Sequence, residues 1–173
     1  PFGFLRSVGV LKREFPGYGI AFCFDSKHSK RKELYPEYKS NRKPKDEEEL
    51  AAKKKLWKQI LRLRKEVLPA IGFQNVFLQR GMEADDLIAA TCQNLPKGAE
   101  AVIASADRDL WQCLTGHVSW FNLRTKELLT AKEFQKRWGI EPVQWPYCKA
   151  LAGDSSDNVL GVKGVGELTA ARF

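Results

Sequence analysis

The chain has 173 residues, 43% of them hydrophobic, with 29 Lys plus Arg against 21 Asp plus Glu and a formal net charge of +8. That suits one domain with a small appendage and an adequate core, and the basic balance is of the kind nucleic-acid binders carry without proving such a role. No apolar run reaches the roughly 18 residues of a membrane helix, which excludes that class, and no signal-like segment opens the chain.

Phe2 to Phe15 reads as a helix, with Phe4, Leu5, Val8, Leu11 and Phe15 at helical spacing. It starts without Met, so a preceding segment is expected. Gly19 to Asp25 (GIAFCFD) is a short apolar run closed by an acid, the pattern of a buried parallel strand ending in Asp25. For this residue taken alone, a turn or helix-capping aspartate before Ser26 is the favoured reading.

Residues 27–45 hold eight Lys or Arg against two Glu, with Tyr35 and Tyr38 interleaved. A solvated loop would have this charge, but aromatic rings among basic side chains also form surfaces that track phosphates and stack bases. Asp46 to Ile71 is expected to be one long helix, opened by acids that suit the positive end of its dipole.

Phe73 to Leu78 reads as a second strand. Gly81 to Ala90 (GMEADDLIAA) then opens a helix and packs Glu83, Asp85 and Asp86 into four positions. Glu100 to Ser105 is a third strand, followed by Asp107, Asp109 and a helix. Residues 117–130 read as two short strands around a turn, and helices follow over Ala131 to Trp138 and Val143 to Leu151. GDSSDN places Asp154 and Asp157 three apart, ahead of GVKGVG and a final helix.

Strands alternating with helices predict an α/β fold with a parallel sheet, in which ligands bind beyond the carboxyl ends of the strands. Asp25, Glu83, Asp85, Asp86, Asp107, Asp109, Asp154 and Asp157 are eight carboxylates on one basic chain. Gathered together they would need counter-charge, and hard divalent ions such as Mg²⁺ or Mn²⁺ prefer oxygen ligands. Two such ions would serve phosphodiester cleavage. Each acid taken singly also suits an ordinary cap or turn. Cys23, Cys92, Cys113 and Cys148 lie far apart without a CxxC pair, as expected for free thiols in a reducing cytoplasm.

Taken in order, FCFD, RKELYPEYKSNR, GMEADD, ASADRDL, ALAGDSSDN and GVKGVG resemble the 5′-nuclease superfamily, which includes flap endonucleases, phage 5′ nucleases and the 5′ to 3′ exonuclease domain of bacterial DNA polymerase I. The resemblance implies a PIN-like parallel-sheet nuclease core over residues 1–140, with residues 27–50 as a basic helical arch. Residues 141–173 would begin a helix-three-turn-helix. It also implies that the eight acids bind two Mg²⁺ or Mn²⁺ ions and that Lys39 and Arg42 contact the scissile phosphate. Arg31 and Tyr38 would face the substrate, and Gly161, Lys163, Gly164 and Gly166 the duplex backbone, with K⁺ at that element.

The expected substrate is DNA with a 5′ flap or single-stranded 5′ end, including RNA primer ends, in a nucleoid or phage-infected bacterial cell. The expected form is a monomer, with a DNA polymerase linked to it or separate. In the family a strand ending in Asp-Gly comes first, and it would lie ahead of Pro1. The final helix is barely begun at Phe173. A PIN-type ribonuclease and a non-catalytic helix-hairpin-helix module are the competing readings.

Overall fold

The computed structural model describes residues 2–173. They form two compact units, one made of the chain up to Lys30 together with Arg42–Ala84, the other of Arg31–Asn41 and Asp85–Phe173.

In the first unit, α1 (Phe2–Glu14) buries Val8 and packs Leu5 against a small core of Phe22, Leu63 and Leu68. Phe22 also meets Phe73 edge-on, with ring centroids 5.0 Å apart. Strand β1 (Phe22–Cys23) pairs in parallel with β2 (Val76–Phe77), Phe22 opposite Val76. Both strands are shorter than the apolar runs that contain them. The basic segment, which from Arg31 to Asn41 belongs to the second unit, forms α2 (Lys30–Leu34) and later a 3₁₀ turn at Ser40–Arg42.

The long helix departs from the expectation of one regular element. Asp46 caps α3 (Glu47–Arg62) by accepting from the Glu49 amide at 2.8 Å. The helix then widens into a π turn at Leu63–Val67 and closes as α4 (Leu68–Ala70). Pro69 explains the change, because proline has no N–H for the ladder and its ring crowds the carbonyl four residues back. The wider turn lets Leu63 and Leu68, five residues apart, both reach the core.

In the second unit, α5 (Ala84–Gln93), whose first residue closes the other unit, precedes a three-stranded sheet ordered β3-β4-β5. Strand β3 (Ala101–Ala104) runs parallel to β4 (Val118–Asn122), which turns back antiparallel into β5 (Glu127–Leu129). The fold is thus mixed α/β with parallel pairs, as the alternation predicted, and an antiparallel edge from the 117–130 turn. The helix expected after Asp109 is a 3₁₀ turn, Asp109–Cys113.

The core of this unit is aromatic. Trp111, Trp120, Phe134 and Trp145 are all buried, with Trp111 and Trp145 ring centroids 5.2 Å apart. Helix α6 (Ala131–Trp138) begins in a Thr130/Glu133 capping box and ends at Gly139 in the left-handed region, φ 73°. Helix α7 (Trp145–Ala152) follows the 3₁₀ turn Pro142–Gln144, and α8 (Glu167–Ala170) is the last. All four cysteines are free thiols, Cys148 buried and the others partly so. Among the described residues no helix is long and apolar enough to cross a membrane.

Candidate metal and nucleic-acid site

In a parallel pair the carboxyl ends of both strands share one edge, so the chain leaving β1 and the chain leaving β2 emerge together. Asp25 follows β1 and Glu83 follows β2. The Asp25 Oδ1 accepts from the Ala84 amide at 2.8 Å, and the Ser26 amide donates to the Met82 carbonyl at 3.1 Å. Asp25 thus holds the Ala84 amide from 59 residues away, a long-range contact and not the local turn or cap before Ser26 that the sequence offered. Glu83 is buried at 8% exposure and its Oε1 accepts from Ser29 Oγ at 2.9 Å. A hydroxyl donor reduces the penalty of burying a carboxylate.

In the second unit Asp85 and Asp86 occupy the first turn of α5, where the dipole favours them. Arg31 grips Asp86 with two parallel bonds, Nη1 to Oδ2 at 2.9 Å and Nη2 to Oδ1 at 2.6 Å. Asp107 lies beyond β3, and its Oδ1 accepts from the Asp109 amide at 2.9 Å. The Trp120 indole N–H donates to the Asp107 carbonyl at 3.0 Å, tying this loop to the aromatic core.

Lys149, on the last turn of α7, links two of these acids. Its Nζ stands 3.2 Å from Asp109 Oδ1 and 3.0 Å from Asp154 Oδ2, and 3.6 Å from Glu167 Oε1 on α8. Burial works against the Lys149 charge, but the carboxylates of Asp154 and Asp109 outweigh it and hold its pKa above the usual lysine value. Asp154 shows the same balance: burial raises its pKa, yet hydrogen bonds from Ser156 and Lys149 bring it down to about 2. For Asp109 burial dominates and the pKa is raised, despite Lys149.

The GDSSDN loop also anchors the basic segment. The Lys39 amide donates to the Asp157 carbonyl at 2.9 Å, Asn41 Nδ2 to the Ser155 carbonyl at 2.8 Å, and Asn158 Nδ2 to the Glu37 carbonyl at 3.0 Å. Lys39 itself has φ 54°, a left-handed backbone uncommon for a non-glycine residue. Its Nζ lies 3.8 Å from Asp157 Oδ2 and 4.7 Å from the centre of the Tyr38 ring. Arg42 accepts, through its backbone carbonyl, from Lys53 Nζ.

In GVKGVG, Gly164 has φ 82°, while Gly161 packs against the Ala152–Gly153 backbone with no room for a Cβ. Lys163 and Gly166 are exposed.

The acids therefore stand in small sets, several of them matched to a protein cation. Among the described residues no group of three His, Cys, Asp or Glu side chains is close enough to hold one metal ion. The donor set, carboxylate oxygens alone, nevertheless suits hard divalent cations, and Asp109 with Asp154 already shares a single positive charge. Lys149, Glu167, Ser29, Arg108 and Asn158 escaped the sequence reading. Only Asn158, inside GDSSDN, and Arg108, inside ASADRDL, had any local signal.

Residues 2–139 match the family model described as 5′-3′ exonuclease, N-terminal resolvase-like domain. A 5′-3′ exonuclease of Buchnera aphidicola is 35% identical over 172 residues, covering 98% of this chain and 57% of that protein. A thermostable DNA polymerase I of Thermus thermophilus is 36% identical over 175 residues, covering 99% of this chain and 20% of the polymerase.

Among solved structures, a bacteriophage T5 5′-exonuclease with bound divalent metal ions (zinc) superposes with TM-score 0.80 at 26% identity, over 98% of this chain and 64% of that one. A T5 flap endonuclease in a pseudo-enzyme-product complex with DNA and metal ions gives TM-score 0.77 at 25% identity, over 96% of this chain and 62% of that one. The chain spans a fifth to under two thirds of the length of these relatives. The match over residues 2–139 and the relatives covered almost throughout this chain place it in the 5′-3′ exonuclease N-terminal, resolvase-like domain family.

Proposed function

We propose that this chain carries the nuclease core of a divalent-metal-dependent, structure-specific 5′ nuclease, hydrolysing DNA phosphodiesters at 5′ flaps or 5′ ends during replication and repair. The observation that carries the reading is the meeting of Asp109 and Asp154, from two separate loops, on one positive charge at 3.2 and 3.0 Å. Support also comes from the T5 flap endonuclease solved with DNA and metal ions, whose fold the chain shares.

The ligands are carboxylates drawn from Asp25, Glu83, Asp85, Asp86, Asp107, Asp109, Asp154 and Asp157, and the metal is Mg²⁺ or Mn²⁺. When bound, such cations activate water and stabilise negative charge on phosphate oxygens. Lys39 and Arg42 place fixed positive charge at the scissile phosphate, where it counts most as charge develops. Arg31 and Tyr38 hold the single-stranded side of the substrate within residues 27–50, the arch. Gly161, Lys163, Gly164 and Gly166, in residues 141–173, open a helix-three-turn-helix whose backbone N–H groups approach the duplex phosphates and whose carbonyl oxygens suit a K⁺ ion. The whole protein joins this core, residues 1–140, to further segments, a polymerase among the candidates given the Thermus relative.

The test incubates the full-length protein with a 5′-labelled DNA flap or the matched RNA, in Mg²⁺ or EDTA. Metal-dependent cleavage near the flap junction is expected. Cleavage of RNA alone would instead select a PIN-type ribonuclease, and binding without cleavage a helix-hairpin-helix DNA-binding module.

A further inference from the structure

Three carboxylates from three different segments face Lys149. Asp109 belongs to the turn after β3, Asp154 to the loop after α7, and Glu167 to α8. Its side chain is only 19% exposed, so this ammonium is held by its partners more than by water. Glu167 is itself fixed: Arg108 donates from Nη2 to its Oε2 at 2.6 Å, and the Arg108 guanidinium lies 4.5 Å from the Trp111 ring centre.

Two carboxylates brought close without a cation repel each other, and the fold relieves this with Lys149. A divalent cation on the same two carboxylates would be repelled by that ammonium at contact distance, so the two positive charges exclude each other. Glu167, 3.6 Å from Nζ, offers the lysine another anionic partner without loss of its charge compensation.

We infer that Lys149 is a positioning residue that keeps Asp109 and Asp154 together as their resident counter-cation and competes with the divalent cation for them, with Glu167 as the ammonium's second seat. This rests on the reading of Asp109 and Asp154 as metal ligands. It makes cation entry an exchange of partners at Lys149, and it links the acid loops to α8, the helix that follows GVKGVG.

The test measures Mn²⁺ binding to the full-length protein without DNA, by calorimetry and by the spin resonance of free Mn²⁺, with thermal melting in EDTA alongside. Lys149→Met is expected to lower the melting temperature in EDTA and to bind Mn²⁺ about tenfold more tightly, the size of an ordinary coupling between two ligands. Lys149→Arg should restore the melting temperature and bring affinity back toward wild type. Glu167→Gln removes the second seat and should weaken Mn²⁺ binding severalfold; this variant also serves if Lys149→Met does not fold.

Unchanged or weaker Mn²⁺ binding in folded Lys149→Met overturns the competition, and unchanged binding in Glu167→Gln removes the second seat. Asp154→Asn separates the two levels of argument. If it binds Mn²⁺ like wild type, the ligand assignment itself fails. If it binds weakly while Lys149→Met matches wild type, only the role of Lys149 fails.

Discussion

Gly153 and Gly161 meet backbone to backbone: a Cβ on Gly153 would lie 2.8 Å from the Gly161 Cα and 2.9 Å from the Val159 carbonyl oxygen, and one on Gly161 would overlap the Ala152 carbonyl group. The contact closes the GDSSDN loop, whose Asp154 amide donates to the Val159 carbonyl at 2.8 Å. Gly161→Ala is therefore expected to destabilise the fold by about 2 kcal/mol or more, since backbone cannot step aside as a side chain can. Gly166→Ala, with no atom within 4 Å of the added methyl and a negative φ of −96°, should be near neutral. Urea unfolding midpoints of the two variants decide between them, and equal midpoints would refute the close-approach argument.

At Lys39 stability and activity should move in opposite directions. Its left-handed backbone, φ 54°, is cheaper for glycine, so Lys39→Gly should hold or gain stability by about 0.5 kcal/mol. The same change removes the cation proposed to face the scissile phosphate, and single-turnover cleavage should slow by roughly a hundredfold or more. A variant that cleaves at the wild-type rate would take Lys39 out of the mechanism.

The tryptophans of the second unit differ in what their N–H groups do. Trp120 donates to the Asp107 carbonyl, whereas the indole nitrogens of Trp111, Trp138 and Trp145 have no partner among the described residues. Trp120→Phe should cost about 1 kcal/mol more than Trp145→Phe, because only the former breaks a buried hydrogen bond. It should also speed amide exchange around Asp107. Equal unfolding free energies and unchanged exchange would show that the indole bond contributes nothing measurable.

The Thr130/Glu133 capping box should make stability depend on pH. Bonds from the Thr130 amide and then its hydroxyl hold the Glu133 pKa below its ordinary value of 4.5. A depressed folded-state pKa gives stability that is present above the unfolded value and is lost as pH falls through the folded one. Thr130→Ala should therefore cost about 1 kcal/mol at pH 7 and less in acid, where the protonated Glu133 has lost its part of the box. Unfolding curves of wild type and variant at both pH values test this; a constant difference would detach Glu133 from the effect.

Asp86→Asn together with Asp107→Asn removes two anionic charges from the proposed ligand set. Cleavage in Mg²⁺ should fall to background while much of the flap affinity remains in gel-shift titrations, because the phosphate contacts come from basic residues. Near-normal turnover of this double variant would sink the metal assignment at those positions.

With α2 and the 3₁₀ turn at Asp109–Cys113 outside its reach, the sequence by itself determined the order of the strands and of most helices, the free thiols, and the motif set that places the chain in its family. Each of these rests on near neighbours: an apolar period, an acid at a strand end, a Gly in a turn. Even the widening of the long helix into a π turn has a local cause, since it lies against Pro69. Only the tertiary structure decided that Arg31 holds Asp86 from 55 residues away, that Asn41 and Asn158 stitch the basic segment to the GDSSDN loop, and that Lys149 sits among Asp109, Asp154 and Glu167. A lysine in a last helical turn looks ordinary, because charge near a helix carboxyl end is favourable in any protein. Which carboxylates such a charge meets depends on how distant segments pack, and local periodicity carries no record of that.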